Sequence, residues 1–225
     1  MKGNDGMITF EQVRENPAVQ AYMEKGNRNL GVLGYTEHGR AHAAMAAETA
    51  AMILTKLGHS ERDIELARIA GYMHDIGNCV NRNDHAHSGS LMAMQVLGGM
   101  GMDVEEIAVI MAAIGNHDEK TGTAVDAVSA ALILADKCDV RRSRVREQKA
   151  IEFDIHDRVN YAVTSAKLSV DAEKKVIALD IEIDDAICPV MEYFEIFMER
   201  MLMCRRAAQL LGCRFSLRAN GGKVL

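Results

Sequence analysis

The sequence predicts a mainly helical protein, with a helical domain over residues 1–150 and a small α+β appendage over residues 151–225. Three observations carry that expectation. Apolar positions recur at helical spacing through the first two thirds of the chain, between caps that can be read directly. Only two prolines occur in 225 residues, so few helices are interrupted. Beyond Lys149 the texture changes to apolar–polar alternation, the signature of strands.

Taken in order, Asn16-Pro17 is a helix start, an N-cap followed by proline at the first position, and Gly26 is its expected stop. From Glu37 to Leu57 the chain is rich in Ala and Met, with Gly58 as C-cap. Ser60-Glu61-Arg62-Asp63 opens the next helix, whose stripe Leu66, Ile69, Ala70 and Met73 runs toward Gly77. Asn81 to His87 reads as a loop, with a further helix from Ser88 to Gly98-Gly99. Asp103 caps a helix with Ile107, Ile110, Met111 and Ile114 on its inner face. After a turn at Thr121-Gly122-Thr123, another carries Ala131 and Leu134 to Cys138. Lys167–Val170 and Val176–Ile183, separated by Asp171-Ala172-Glu173-Lys174, form a hairpin candidate. Pro189 starts a long helix with an apolar stripe from Val190 to Leu211. Gly212 ends it, and Cys213–Arg218 returns as a possible third strand. The stripe on that helix leaves room for a homodimer seam, though packing on its own hairpin is the simpler account.

Composition narrows the function. Apolar residues make up 48% and charged residues 26%, as in an ordinary packed protein. The formal net charge of −6 argues against a nucleic-acid or acidic-membrane binder, both of which need a basic footprint. No apolar run approaches membrane-spanning length. Met1-Lys2-Gly3-Asn4-Asp5 lacks a signal-peptide apolar region. The five cysteines include no CxxC pair and suit reduced, buried thiols. Together these features point to the cytoplasm.

The chemistry concentrates in the histidines, most of which fall between His38 and His117 beside acidic residues. Imidazole with carboxylate suits Zn, Fe, Mn or Ni. Met73-His74-Asp75-Ile76-Gly77 is the distinctive element. Neighbouring residues are splayed by about 100° on a regular helix, so His74 and Asp75 converge only at a frayed C-terminal turn, which the following glycine eases. Around it stand Glu37-His38-Gly39-Arg40-Ala41-His42, Asp84-His85-Ala86-His87-Ser88-Gly89-Ser90, Gly115-Asn116-His117-Asp118-Glu119 and Leu134-Ala135-Asp136-Lys137. His38 and His42 share a helix face if that helix starts early enough.

This order of His, His-Asp, His, His and Asp resembles the HD superfamily of metal-dependent phosphohydrolases. It is most similar to the dinuclear branches that include diadenosine tetraphosphate hydrolases and the HD-GYP enzymes. The resemblance covers roughly residues 34–147 and implies a helical-bundle HD domain. It implies metal ligands at His42 rather than His38, His74, Asp75, His85 rather than His87, His117 and Asp136, with His74 and Asp75 at the catalytic centre and Asp75 the bridge between two ions. The implied cofactors are two divalent transition metals, iron or manganese first, with Zn, Ni or Mg as further choices. The implied activity is cleavage of a phosphoester or phosphoanhydride in a small phosphorylated molecule, a nucleotide above all, by a metal-activated hydroxide. A di-iron oxygenase and a non-catalytic nucleotide-binding signalling module are the competing functions. One departure is visible: many relatives carry Lys after His-Asp-x-Gly, where this chain has Asn78.

Outer partners expected around these ligands are His38 and His87, with Glu37, Asp84, Asp118 and Glu119 as acceptors for the imidazoles. The run Asp139-Val140-Arg141-Arg142-Ser143-Arg144-Val145-Arg146 is the dense basic stretch of an acidic chain. Arg141 and Arg142, with Lys120 and Arg40, are therefore candidates for holding a phosphate tail. The plainer alternative for the run is a solvated helix face paired with Glu147. His59 and His156 read as surface residues.

Overall fold

The computed structural model describes residues 7–146 and 155–224. Glu147, the expected partner of the arginine run, lies outside them. Helices α1 (Phe10–Glu15), α2 (Pro17–Val32), α3 (Arg40–Lys56), α4 (Glu61–Met73), α5 (His85–Met100), α6 (Val104–Gly115) and α7 (Ala127–Lys137) come first, with a 3-10 turn at Ile76–Cys79 between α4 and α5. A second 3-10 turn, Arg142–Arg144, precedes α8 (Ile155–Ala162), β1 (Val163–Asp171), β2 (Val176–Ile183), α9 (Val190–Leu210), β3 (Arg214–Ala219) and β4 (Gly222–Lys223). The mainly helical fold with a small α+β C-terminal part is what the sequence predicts.

The caps behave as their chemistry dictates. Asn16, Ser60 and Asp103 each accept main-chain N–H groups at the start of α2, α4 and α6. β1 and β2 pair antiparallel, and β3 adds to β2 in parallel after the α9 crossover, giving the order β1-β2-β3-β4. A parallel neighbour needs such a crossover, and α9 supplies it. Tyr193, Phe197, Met201 and Cys204 of α9 are buried in one continuous apolar core that also contains Leu132 and Leu134 of α7 and Leu179 and Leu217 of the sheet. No helix among the described residues is long and apolar enough to cross a membrane.

Three helix boundaries differ from the sequence expectation. Gly26 does not stop α2 but sits buried in its middle, where an added Cβ would lie 3.2 Å from Asn78 Cβ; the helix runs on toward Gly34, whose φ is +81°. Gly98-Gly99 lie inside α5, which Gly101 ends at φ +87°. The same helix begins at His85 rather than Ser88, so His85 and His87 stand in its first turn. At Gly26 packing against Asn78 overrides the local penalty of glycine in a helix.

Close approach of α3 and α4 builds the site. The Ala face of α3 (Ala43, Ala46, Ala47, Ala50) is buried, and Gly71 of α4 meets it so tightly that a Cβ there would lie 2.8 Å from Ala47 Cα. His42 stands about one turn before this contact on α3, and His74 just beyond it at the end of α4. The small-residue seam thereby brings the two imidazoles edge to face, with ring centroids 5.0 Å apart at 72°.

Candidate metal centre

His42, His74, His85 and His117 are all buried, at 0%, 0%, 3% and 1% exposure, although most isolated histidines sit in contact with water. Each ring is held by its Nδ1. His42 Nδ1 donates to Asp139 Oδ2 at 2.7 Å. His74 Nδ1 donates to the Gly71 carbonyl at 2.7 Å, His85 Nδ1 to that of Arg82 at 3.0 Å, and His117 Nδ1 to that of Ile114 at 2.6 Å. A carbonyl can only accept, so in these three rings Nδ1 carries the hydrogen and the neutral ring leaves a lone pair on Nε2. At the ends of α4 and α6 the accepting carbonyls are among the orphans of a helix C-terminus, which explains why His74 and His117 need no carboxylate.

The Nε2 atoms converge in two pairs. Those of His42 and His74 are 3.2 Å apart, and those of His85 and His117 are 3.1 Å apart. Asp75 lies between the pairs. Its Oδ2 is 3.3 Å from His74 Nε2 and 3.7 Å from His42 Nε2. Its Oδ1 is 3.5 Å from His85 Nε2 and 4.0 Å from His117 Nε2. Asp136 Oδ1 completes the first group, 3.3 Å from His42 Nε2 and 3.6 Å from His74 Nε2. Asp75 is presented where the sequence expects it: α4 ends at Met73, and Asp75 takes φ −98°, ψ 3° on entry to the 3-10 turn. Gly77 serves this geometry by size. A Cβ there would lie 2.0 Å from the His85 carbonyl and 2.6 Å from Gly89 N, so its lack of a side chain is what admits α5.

Nε2 lone pairs that face one another across 3 Å, with carboxylates beside them, repel unless a proton or a metal ion joins them. Burial alone would push the His74 pKa down, but Asp75 and Asp136 outweigh it and hold the ring up at about 10, so without a metal its Nε2 carries a proton that a bound cation would displace. Burial would likewise raise Asp75, and His74 pulls it well below the usual carboxylate range. Asp136 is held low against its own burial by Lys137, whose Nζ is 2.6 Å from Oδ2. Asp75 Oδ2 is buried with no hydrogen-bond partner among the described residues. His42, His74 and Asp136 form one group able to hold a metal ion, and His74, Asp75 and His117 another. Imidazole nitrogen plus carboxylate oxygen is the donor chemistry of divalent transition ions, and these residues fit one.

A cavity of about 860 Å³ opens above the centre, with Asp75, His85, His117 and Asp136 in its floor. Its cations are Arg82, Lys120, Lys137, Arg144 and Arg200. His38 also lines it, outside α3 because that helix begins at Arg40; its Nδ1 donates to the Thr36 carbonyl at 2.7 Å.

The structure does not bring every sequence candidate here. Arg40 and His87 are exposed, and His87 lies 3.7 Å from Asp84. Arg141 clamps Asp139, with Nε 2.5 Å from Oδ1. Arg142 stacks 4.5 Å above the Tyr161 ring and pairs with Asp184. Neither lines the cavity, whereas Arg144 of the same run does, buried and donating to the carbonyls of Glu37 and Asp139. The run is split because each arginine leaves the 3-10 turn and its flanks in a different direction.

The carboxylates expected to orient the imidazoles are engaged elsewhere, Glu37 with Gly39 N and Glu119 with Arg200. Asp139 takes that role for His42 and escapes sequence reading because only folding returns it to α3. His156 is exposed, as the sequence suggests, and also lines the cavity, and Arg200 and Phe197 reach it from α9. No spacing signal could have found these three. Asp139→Asn, which keeps the shape but loses the charge, should weaken metal binding by about 10- to 100-fold. Competition with a chromophoric chelator measures this, and a change under about twofold would remove Asp139 from the role.

A model of the HD domain family matches residues 40–159, just over half of the chain. An uncharacterized protein of Methanocaldococcus jannaschii is 24% identical over 200 residues, spanning 78% of this chain and 76% of its own length. The crystal structure of a predicted HD superfamily hydrolase from an uncultured Thermotogales bacterium is similar over 55% of this chain and 67% of its own, at 25% identity and a TM-score of 0.43. The family match spans His42, His74, Asp75, His85, His117 and Asp136, and the chain belongs to the HD domain family.

Proposed function

We propose that this chain is a metal-dependent phosphohydrolase acting on a small phosphorylated molecule, nucleotide-like in class, with up to two divalent ions such as iron or manganese per chain. One observation carries the reading: four imidazole Nε2 atoms and both oxygens of Asp75 face a common space in the floor of a cavity whose lining mixes Arg and Lys with carboxylates. His42, His74, Asp75 and Asp136 would hold one ion, and His85, His117 and Asp75 the other. When bound, such ions lower the pKa of a water to near neutrality and clamp phosphoryl oxygens in line.

The chain's own side chains do the rest. Asp139 keeps the His42 ring in one tautomer and orientation, and the three main-chain carbonyls do so for the other rings. Lys137 neutralises the outer oxygen of Asp136 and, with Arg144 and Arg200, places positive charge in the lining beside the carboxylates of Asp118, Glu119 and Asp157, where it favours a developing phosphoryl anion. Those cations support phosphoester hydrolysis over dioxygen activation, which needs no anion recruitment. Tyr35 and Phe197, also in the lining, offer aromatic surface to the organic part of such a substrate.

The test is metal analysis of the purified protein joined to a screen of nucleotides and simple phosphomonoesters for phosphate release with Mn²⁺ or Fe²⁺. Lys120→Ala, which removes an exposed cavity cation, should raise KM by about 3- to 10-fold with kcat nearly unchanged, because a contact remote from the reacting atoms is made equally in ground and transition states. A protein that binds neither ion and releases phosphate from none of these compounds would defeat the proposal.

A further inference from the structure

The loop between the His-Asp turn and α5 carries a cation into the place a second cation would take. Arg82 grips His85 from both sides. Its carbonyl accepts the Nδ1 hydrogen at 3.0 Å, and its guanidinium Nη1 lies 3.3 Å from Nε2, the lone pair that would bind a metal. Nη1 also donates to Asn78 Oδ1 at 3.3 Å and stands 3.9 Å from Asp75 Oδ1. Asn78 donates to that same Asp75 oxygen at 2.7 Å. On the His85 side, therefore, one ring nitrogen and one carboxylate oxygen are already engaged by protein donors. On the other side Asp75 Oδ2 has no hydrogen-bond partner among the described residues, and its neighbours are the Nε2 atoms of His42 and His74.

We propose that Arg82 gates the second metal subsite: with its guanidinium in place the centre holds one divalent ion, on His42, His74, Asp75 and Asp136, and a second binds at His85 and His117 only when Arg82 swings away. The inference rests on the metal-centre reading above. A guanidinium and a divalent ion within a few ångströms of the same two ligand atoms repel one another, and the guanidinium also occupies the His85 lone pair. The side chain is free to leave. It is 29% exposed, rests 5.6 Å over the Tyr35 ring, and already belongs to the cavity wall. An anionic substrate entering that cavity draws the guanidinium toward itself and so vacates the subsite. Substrate and second ion then favour each other's binding, and by linkage the coupling is reciprocal.

The experiment is a Mn²⁺ titration of the metal-stripped full chain by calorimetry, with electron paramagnetic resonance to detect a spin-coupled Mn²⁺ pair. Wild type should bind one ion tightly and a second at least about tenfold more weakly, the scale on which groups outside the coordination sphere tune affinity. In Arg82→Gln, which keeps a polar side chain without the charge, the second ion should tighten by at least about tenfold and the coupled signal should grow in by two equivalents. Arg82→Lys, with its charge on a different head, should fall between the two and serves if the glutamine variant fails to fold by circular dichroism. Equal affinity for the second ion in wild type and both variants would overturn the gate while leaving the metal centre standing. No Mn²⁺ bound by any form would instead overturn the metal-centre reading itself.

Discussion

Asp75→Asn should strip the centre of metal and lower turnover by at least about 10³-fold, equivalent to about 4 kcal/mol of barrier. The carboxylate faces both histidine pairs, with Oδ2 3.3 Å from His74 and Oδ1 3.5 Å from His85. Asparagine preserves shape and the neighbouring packing but replaces one acceptor oxygen with an NH₂ that can bind no cation. It also removes the negative charge that, with Asp136, makes a buried cation tolerable among four imidazoles. Metal content by mass spectrometry and steady-state rates on the same preparation measure the effect. An Asp75→Asn protein that keeps its metal and turns over normally would refute the site.

Gly77→Ala should destabilise the fold by at least about 3 kcal/mol, the upper range for overpacking. The new methyl would meet the His85 carbonyl at 2.0 Å and Gly89 N at 2.6 Å. Those are main-chain atoms of α5, and no rotamer change relieves the clash. The first turn of α5 must move away, and His85 moves with it. The variant should therefore show both a lower urea midpoint and a loss of metal from the His85/His117 side. A midpoint and metal content equal to wild type would show that α5 accommodates the methyl without moving.

How much of this was legible depends on how far each determinant lies along the chain from its partner. The His74-Asp75 presentation could be read locally, because a helix end is the place where adjacent side chains converge, and α4 does end at Met73. The caps at Asn16, Ser60 and Asp103 were legible for the same reason. Gly77 was read as a turn former, yet its function is to admit the backbone of α5. Gly26 was read as a stop, yet it lets α2 lie against Asn78. A glycine's sequence context carries its conformational permission but not the neighbour that requires it. The orienting acceptors were sought among carboxylates, while three of the four are main-chain carbonyls, invisible in any side-chain reading.

By itself the sequence determined the helical class, the hairpin and the long helix after Pro189, because periodicity and caps are local properties, while the resemblance to the HD superfamily supplied the six candidate metal ligands. Tertiary structure alone decided which oxygen of Asp75 faces which histidine pair, that Asp139 rather than Glu37 orients His42, and that the arginine run divides between the cavity and distant ion pairs. It also carried Arg200 of α9 to a cavity floored by helices far earlier in the chain. The physical reason is common to all of these. Charge and hydrogen-bond partners are chosen by distances of 3–4 Å in space, and the chain reaches such distances between remote residues only when the apolar faces of its helices are buried together.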